Sequence, residues 1–292
     1  MPERISRRWS LPRRLQPVAA LLVVCLVLQA GCGESRYKAA LQRTQDYYAH
    51  LAMLDRELTP AVAVGSVVVR VPAQLQLLEF VPPDETGREP IGADGLTSSQ
   101  RMQPYYLDVS LPGVVAAWSR QVLTDVGGAD EGRPAYLYLL SNEPLLQQDR
   151  DARAGNGPAP EIPASELLTE VESRLARAFA VELPEGTDGQ PDSFNERYTE
   201  RYPRAPMHRK YHPSKSVIEV QFQPDGFIDA FDVPYEYRLY EYAPDGSDIQ
   251  TALFLVAPQG VASRERLSSR IDLMLATLKV TGASRPSPSS RF

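Results

Sequence analysis

Cysteine is almost missing from this 292-residue chain: Cys25 and Cys32, both near the N-terminus, are the only two. Everything after Cys32 therefore lacks a disulfide, a thiolate metal ligand and a cysteine nucleophile, and a folded body there must rest on core burial. Histidine is scarce too, at three residues. No Gly-x-Ser-x-Gly elbow, phosphate loop or dinucleotide fingerprint occurs. Long apolar runs are absent but for Val18 to Ala30. That run is about 13 residues, short of the roughly 20 a permanent membrane-spanning helix needs.

Basic charge is short everywhere except at the start. Arg4, Arg7, Arg8, Arg13 and Arg14 precede the apolar run, opposed by Glu3 alone. With residues 1–31 set aside, 26 basic side chains face 36 acidic ones, a net charge of −10. A body this acidic disfavours nonspecific binding to nucleic acid or to an anionic membrane surface. The N-terminal stretch has the opposite character: a basic segment, a short apolar segment, then small residues, as in an export signal.

The stretch ends in Ala30-Gly31-Cys32, and this ending resembles the lipobox of bacterial lipoproteins. The resemblance implies cleavage before Cys32 and acylation of that cysteine, which would anchor the protein to a bacterial membrane facing the periplasm or exterior. Gln29 stands where the family prefers leucine. An ordinary secretory signal cut nearby and a short uncleaved anchor are the alternatives. Ser6-Arg7-Arg8 resembles a twin-arginine signal, but Trp9 and Ser10 follow where an apolar pair is expected.

Residues 1–31 are thus read as signal, 32–60 as anchor and N-terminal helix, 61–281 as the folded domain and 282–292 as a disordered Ser/Pro tail. Tyr37, Leu41, Tyr48, Leu51, Leu54 and Leu58 give helical spacing over 35–58, either packed on the domain or forming a stalk. Asp55 breaks the heptad phase. Strands are predicted over Val62–Val71, Tyr105–Val109, Val114–Leu123, Ala135–Leu140, Ser216–Phe222, Tyr235–Tyr242 and Ile249–Ala257, with a doubtful continuation over Gln74–Phe80 and a closing one over Leu278–Thr281. Pro244-Asp245-Gly246 joins the best hairpin, and the apolar run Ala252–Val256 reads as a central strand. Helices are predicted after Ser165 and after Ser263. Segments near 82–104, 147–165 and 184–213, rich in proline, glycine and polar residues, read as mobile insertions.

The closing order is Phe222, the Tyr-Arg-Leu-Tyr-Glu-Tyr…Leu-Phe-Leu-Val-Ala-Pro hairpin, then Ser-Arg-Glu-Arg-Leu-Ser-Ser-Arg-Ile-Asp-Leu-Met-Leu. It resembles the PsbP-like domain. The resemblance implies an α+β fold, a three-layer α/β/α sandwich with a central antiparallel sheet. It also implies binding or assembly rather than catalysis.

His208 and His212 stand four apart, but Pro206 and Pro213 bracket them and Arg209 and Lys210 lie between, so a basic loop is favoured over a metal site. With Arg204 and Lys215 that loop is a dense positive patch that suits an acidic or phosphate-bearing partner. Asp225, Asp229 and Asp232 do not follow a calcium-loop spacing. No metal, cofactor or catalytic residue is assigned. Tyr235, Tyr237, Tyr240 and Tyr242 suit either core-edge packing or a partner or ligand surface. The expected function is a non-enzymatic, lipid-anchored envelope protein that binds a protein or envelope component. The alternative is a hydrolase or small-ligand receptor with its site in the irregular loops.

Overall fold

The computed structural model describes residues 16–92, 95–125, 131–183, 196–202, 215–224 and 231–281, with backbone alone for 16–34, 196–202 and 215. The described chain divides after Leu51. The first unit is most of one long helix, α1 (Gln16–Glu57), so the helix expected from residue 35 begins well before it. Tyr37, Leu41 and Tyr48 are exposed along it. Gln42 donates to Asp46 at 2.8 Å, a surface pair four residues apart. Among the residues with described side chains, no helix is long and apolar enough to cross a membrane.

The second unit, from Ala52 onward, begins with the last turn of α1. Val62–Val71 is not one strand but a small hairpin, β1 (Val62–Val64) and β2 (Val67–Val69). The chain reverses at Gly65, whose φ of +54° a side chain would resist. A Cβ there would also run into the Glu143 carboxylate, which accepts the Ser66 amide at 2.6 Å.

The main sheet has seven strands, antiparallel throughout. They are β3 (Gln76–Leu77), β4 (Val114–Thr124), β5 (Glu131–Ser141), β6 (Glu196–Tyr202), β7 (Lys215–Phe222), β8 (Tyr235–Tyr242) and β9 (Thr251–Pro258), in the order β3-β4-β5-β9-β8-β7-β6. A last short strand, β10 (Lys279–Val280), pairs with β2 instead. β9 sits at the centre because nothing along Thr251–Pro258 can face water; all eight residues are buried. Its one hydroxyl is satisfied by the Leu140 carbonyl at 2.8 Å.

The chain is therefore α+β. Helix α4 (Leu167–Phe179) presents Leu167, Val171, Leu175 and Phe179, one residue per turn. They pack into a cluster with Tyr138, Leu140, Val220, Phe222, Leu239 and Phe254 from one side of the sheet. Burying each such side chain contributes about 1.5–3 kcal/mol. The alternate residues Leu137, Leu139, Leu253 and Leu255 are buried as well. Helix α5 (Leu267–Thr277) buries Leu267, Ile271, Met274 and Leu275.

Several local expectations are corrected. Tyr105–Leu107 is a tight 3-10 turn rather than a strand, since Pro104 precedes it and Asp108 closes it in the left-handed region. Helix α3 (Glu143–Arg153) runs into the 147–165 stretch and takes up its first seven residues, and a 3-10 turn at Ala164–Glu166 leads into α4. Neither Ser165 nor Ser263 caps a helix through its side chain, because a 3-10 turn precedes each one. The 82–104 loop contains α2 (Ser98–Arg101), opened by a reciprocal Thr97–Gln100 capping box. β6 falls inside the supposed insertion 184–213, whose remainder, like 282–292, lies outside the described residues.

Candidate functional site

Few of the sequence-predicted residues have described side chains. Cys32 lies on the backbone of α1, and its side chain is outside the described set, as are His208, His212, Arg204, Asp225 and Asp229. Asp232 is tied to Arg133 at 2.5 Å, and Arg133 also holds Glu131 at 2.6 Å. Among the described residues no three His, Cys, Asp or Glu side chains gather as a metal site.

The tyrosines alternate along β8 as expected, and most of their surface is covered. Tyr235, Tyr237 and Tyr240 are buried and Tyr242 is half-buried. Tyr235 stacks on Phe231 with ring centres 3.8 Å apart and donates its hydroxyl to the Pro134 carbonyl at 2.9 Å. Burial lifts its pKa to about 12. Tyr237 lies against Phe179 of α4 at 4.6 Å. Tyr235 and Tyr237 nonetheless border one surface recess, and Tyr240 borders another. Deeper in the same aromatic chain, Tyr106 and Tyr138 bury their hydroxyls beside each other. Burial raises both pKa values.

Two polar constellations were not anticipated, and both involve α5. One lies on the side of the sheet opposite Tyr235 and Tyr237. Strand register sets Gln221 against Arg238 and Glu219 against Tyr240. Arg238 bonds Glu236 at 2.7 Å and lies 3.6 Å from the buried Glu219, which accepts from Gln221 at 3.0 Å. Burial works against the Arg238 charge, but the Tyr240, Glu236 and Glu219 oxygens outweigh it, and the pKa ends above the usual arginine value. Glu236, Arg238 and Tyr240 line a pocket of about 180 Å³ with Leu255, Leu267, Ile271 and Asp272. A recess that opposes a guanidinium to carboxylates on an apolar floor is equipped to hold a small polar group. The period-2 pattern of Glu236-x-Arg238-x-Tyr240 was the legible signal for it.

The other constellation is centred on Glu57, 2% exposed at the end of α1. Its Oε1 accepts from Arg56 Nε at 2.8 Å and Arg266 Nη1 at 2.7 Å, and its Oε2 from Arg270 Nε at 2.9 Å. Arg270 also bonds the Gln74 amide oxygen. The hydrogen bonds from Arg270 and Arg56, then the Arg266 charge, hold the carboxyl below its ordinary pKa against the pull of burial. No local sequence signal marks this cluster, because more than 200 positions separate its halves.

No known family model matches the chain, and no curated protein is similar enough to count as a relative.

Proposed function

We propose that this is a lipid-anchored cell-envelope protein that works by binding a protein or envelope component rather than by catalysis. The observation that carries the reading is the stretch ending in Ala30-Gly31-Cys32 behind five arginines. A diacylglyceryl cysteine with a further amide-linked chain exceeds the two signals stable anchoring needs. The acidic body would contribute little to holding an anionic membrane, so the lipid does the anchoring.

We further propose that the folded part is a three-layer α/β/α sandwich of PsbP-like type. The burial of alternate β5 and β9 residues supports it. So does the pairing of α4 with one set of sheet side chains, while α5 shares a pocket wall with Leu255 and Ala257 of the other set. A small-ligand receptor is the second reading, favoured by the Arg238 pocket.

Crosslinking in intact cells followed by purification of the membrane-anchored form tests the binding reading. Recovery of one recurring envelope protein supports it. Recovery of none, together with turnover of an ester or amide substrate panel by the purified chain, overturns it.

A further inference from the structure

We propose that Arg56 and Arg266, held side by side by Glu57, form a binding site for a phosphoryl group. The charge balance around Glu57 points there. Among the described residues three guanidinium groups meet one carboxylate, an excess of two positive charges in a domain that is otherwise acidic. Arg270 is the inner member, 19% exposed, and is further occupied by Gln74. Arg56 and Arg266 are the outer members, 69% and 47% exposed.

The outer pair donate to the same oxygen, Glu57 Oε1, which makes the two guanidinium groups near neighbours. Each arginine has five N–H donors, and each of these two spends one of them on Glu57. Both side chains keep a large part of their surface exposed. Planar forks of this kind match the oxygens of a phosphoryl group in paired hydrogen bonds. A dianion with several oxygens would neutralise the excess charge and use donors from both forks. A single carboxylate would leave one charge over.

The arrangement is built before any ligand arrives. Arg266 has φ +52° and ψ +30°, a left-handed backbone that a non-glycine residue adopts only when its surroundings impose it. The 3-10 turn Ser263–Glu265 imposes it, with the Arg266 amide bonded to the Ser263 carbonyl at 3.2 Å. Glu57 fixes the far end of the same side chain. This assignment does not depend on whether Cys32 carries a lipid.

The ligand chemistry has two sources, free phosphate or a phosphate monoester lipid headgroup, and the experiment separates them. The full chain in detergent is titrated calorimetrically with inorganic phosphate. It is then incorporated into phosphatidylcholine vesicles with and without phosphatidic acid, and headgroup contact is read by phosphorus NMR. All measurements are made at physiological ionic strength, so that diffuse attraction is screened. Arg56→Ala, Arg56→Lys and Arg266→Gln are compared with wild type, and Arg153→Ala, an exposed arginine of α3, serves as the control. Melting curves verify that each variant folds. Saturable phosphate binding, weakened about tenfold or more in Arg56→Ala and Arg266→Gln, less in Arg56→Lys and not in Arg153→Ala, supports the site with free phosphate as source. The same ranking seen only with phosphatidic acid supports it with the headgroup as source. Absence of saturable binding in both arms, or equal affinity in folded Arg56→Ala and wild type, overturns it.

Discussion

Arg270 Nε donates to Glu57 Oε2 at 2.9 Å across 213 positions of sequence, joining the last turn of α1 to the C-terminal helix α5. Removing either partner unmakes a tie between the beginning and the end of the folded unit. The carboxyl is already held below its ordinary value of 4.5, chiefly by hydrogen bonds from Arg270 and Arg56. Its stabilisation is therefore complete above that ordinary value and is lost as pH falls through the lowered folded-state value. Thermal melts from neutral pH down to about pH 3 should show a steep acid loss that Glu57→Gln flattens while lowering the melting temperature at neutral pH. An identical acid limb in both proteins would contradict the assignment.

Leu255 in β9 lies on the central strand, and its truncation to Ala should cost about 2–5 kcal/mol, a large part of a domain's total of roughly 5–15. Ile91, which is exposed, should tolerate the same change within about 0.5 kcal/mol. Urea titrations of the two variants, compared at constant slope, check the contrast.

Gly113 enters β4 with φ +69°, and a Cβ there would stand 2.5 Å from the Ser141 carbonyl oxygen. Gly113→Ala must therefore either strain the backbone or push β4 from β5, at a cost of at least about 1 kcal/mol. Gly155, also at positive φ but with nothing near its missing Cβ, isolates the conformational part of that cost. The Gly113 variant should melt well below the Gly155 variant, and equal melting temperatures would remove the steric argument.

The tyrosine hydroxyls separate by their partners. Tyr138 buries its hydroxyl beside that of Tyr106, a weak contact at most, so Tyr138→Phe should be close to neutral, because a desolvated polar group is removed along with it. Tyr235→Phe deletes the bond to the Pro134 carbonyl and should cost about 0.5–1.5 kcal/mol. Equilibrium unfolding of the pair, with wild type about level with Tyr138→Phe and above Tyr235→Phe, is the expected order.

Strands with a clear period were legible in the sequence, and so was the central place of the run Ala252–Val256, because an apolar strand must be covered on both sides. The helix α3 was not. Beyond Pro144, Leu145, Leu146 and Ala152 its residues are polar and none is fully buried, so no apolar stripe announces it. Local pairs, Gln147 to Asp151 and Arg153 to Asp149, were the available hint. Tyr105–Val109 looked like a strand from its aromatic and branched residues, yet Pro104 and the left-handed Asp108 make it a turn. The pattern of Tyr235 to Tyr242 placed the rings on alternate faces, but it carried no information on Phe231 and Phe179, which cover two of them. The arginines around Glu57 come from two ends of the chain, and only the tertiary fold brings them together.

The anchoring claim is tested most directly by intact mass spectrometry of the native protein extracted from bacterial membranes. The account predicts a chain that begins at Cys32 and carries a diacylglyceryl group and an amide-linked acyl chain, and a Cys32→Ser variant that appears in the soluble fraction. A membrane-bound chain that still begins at Met1 and bears no lipid would contradict it.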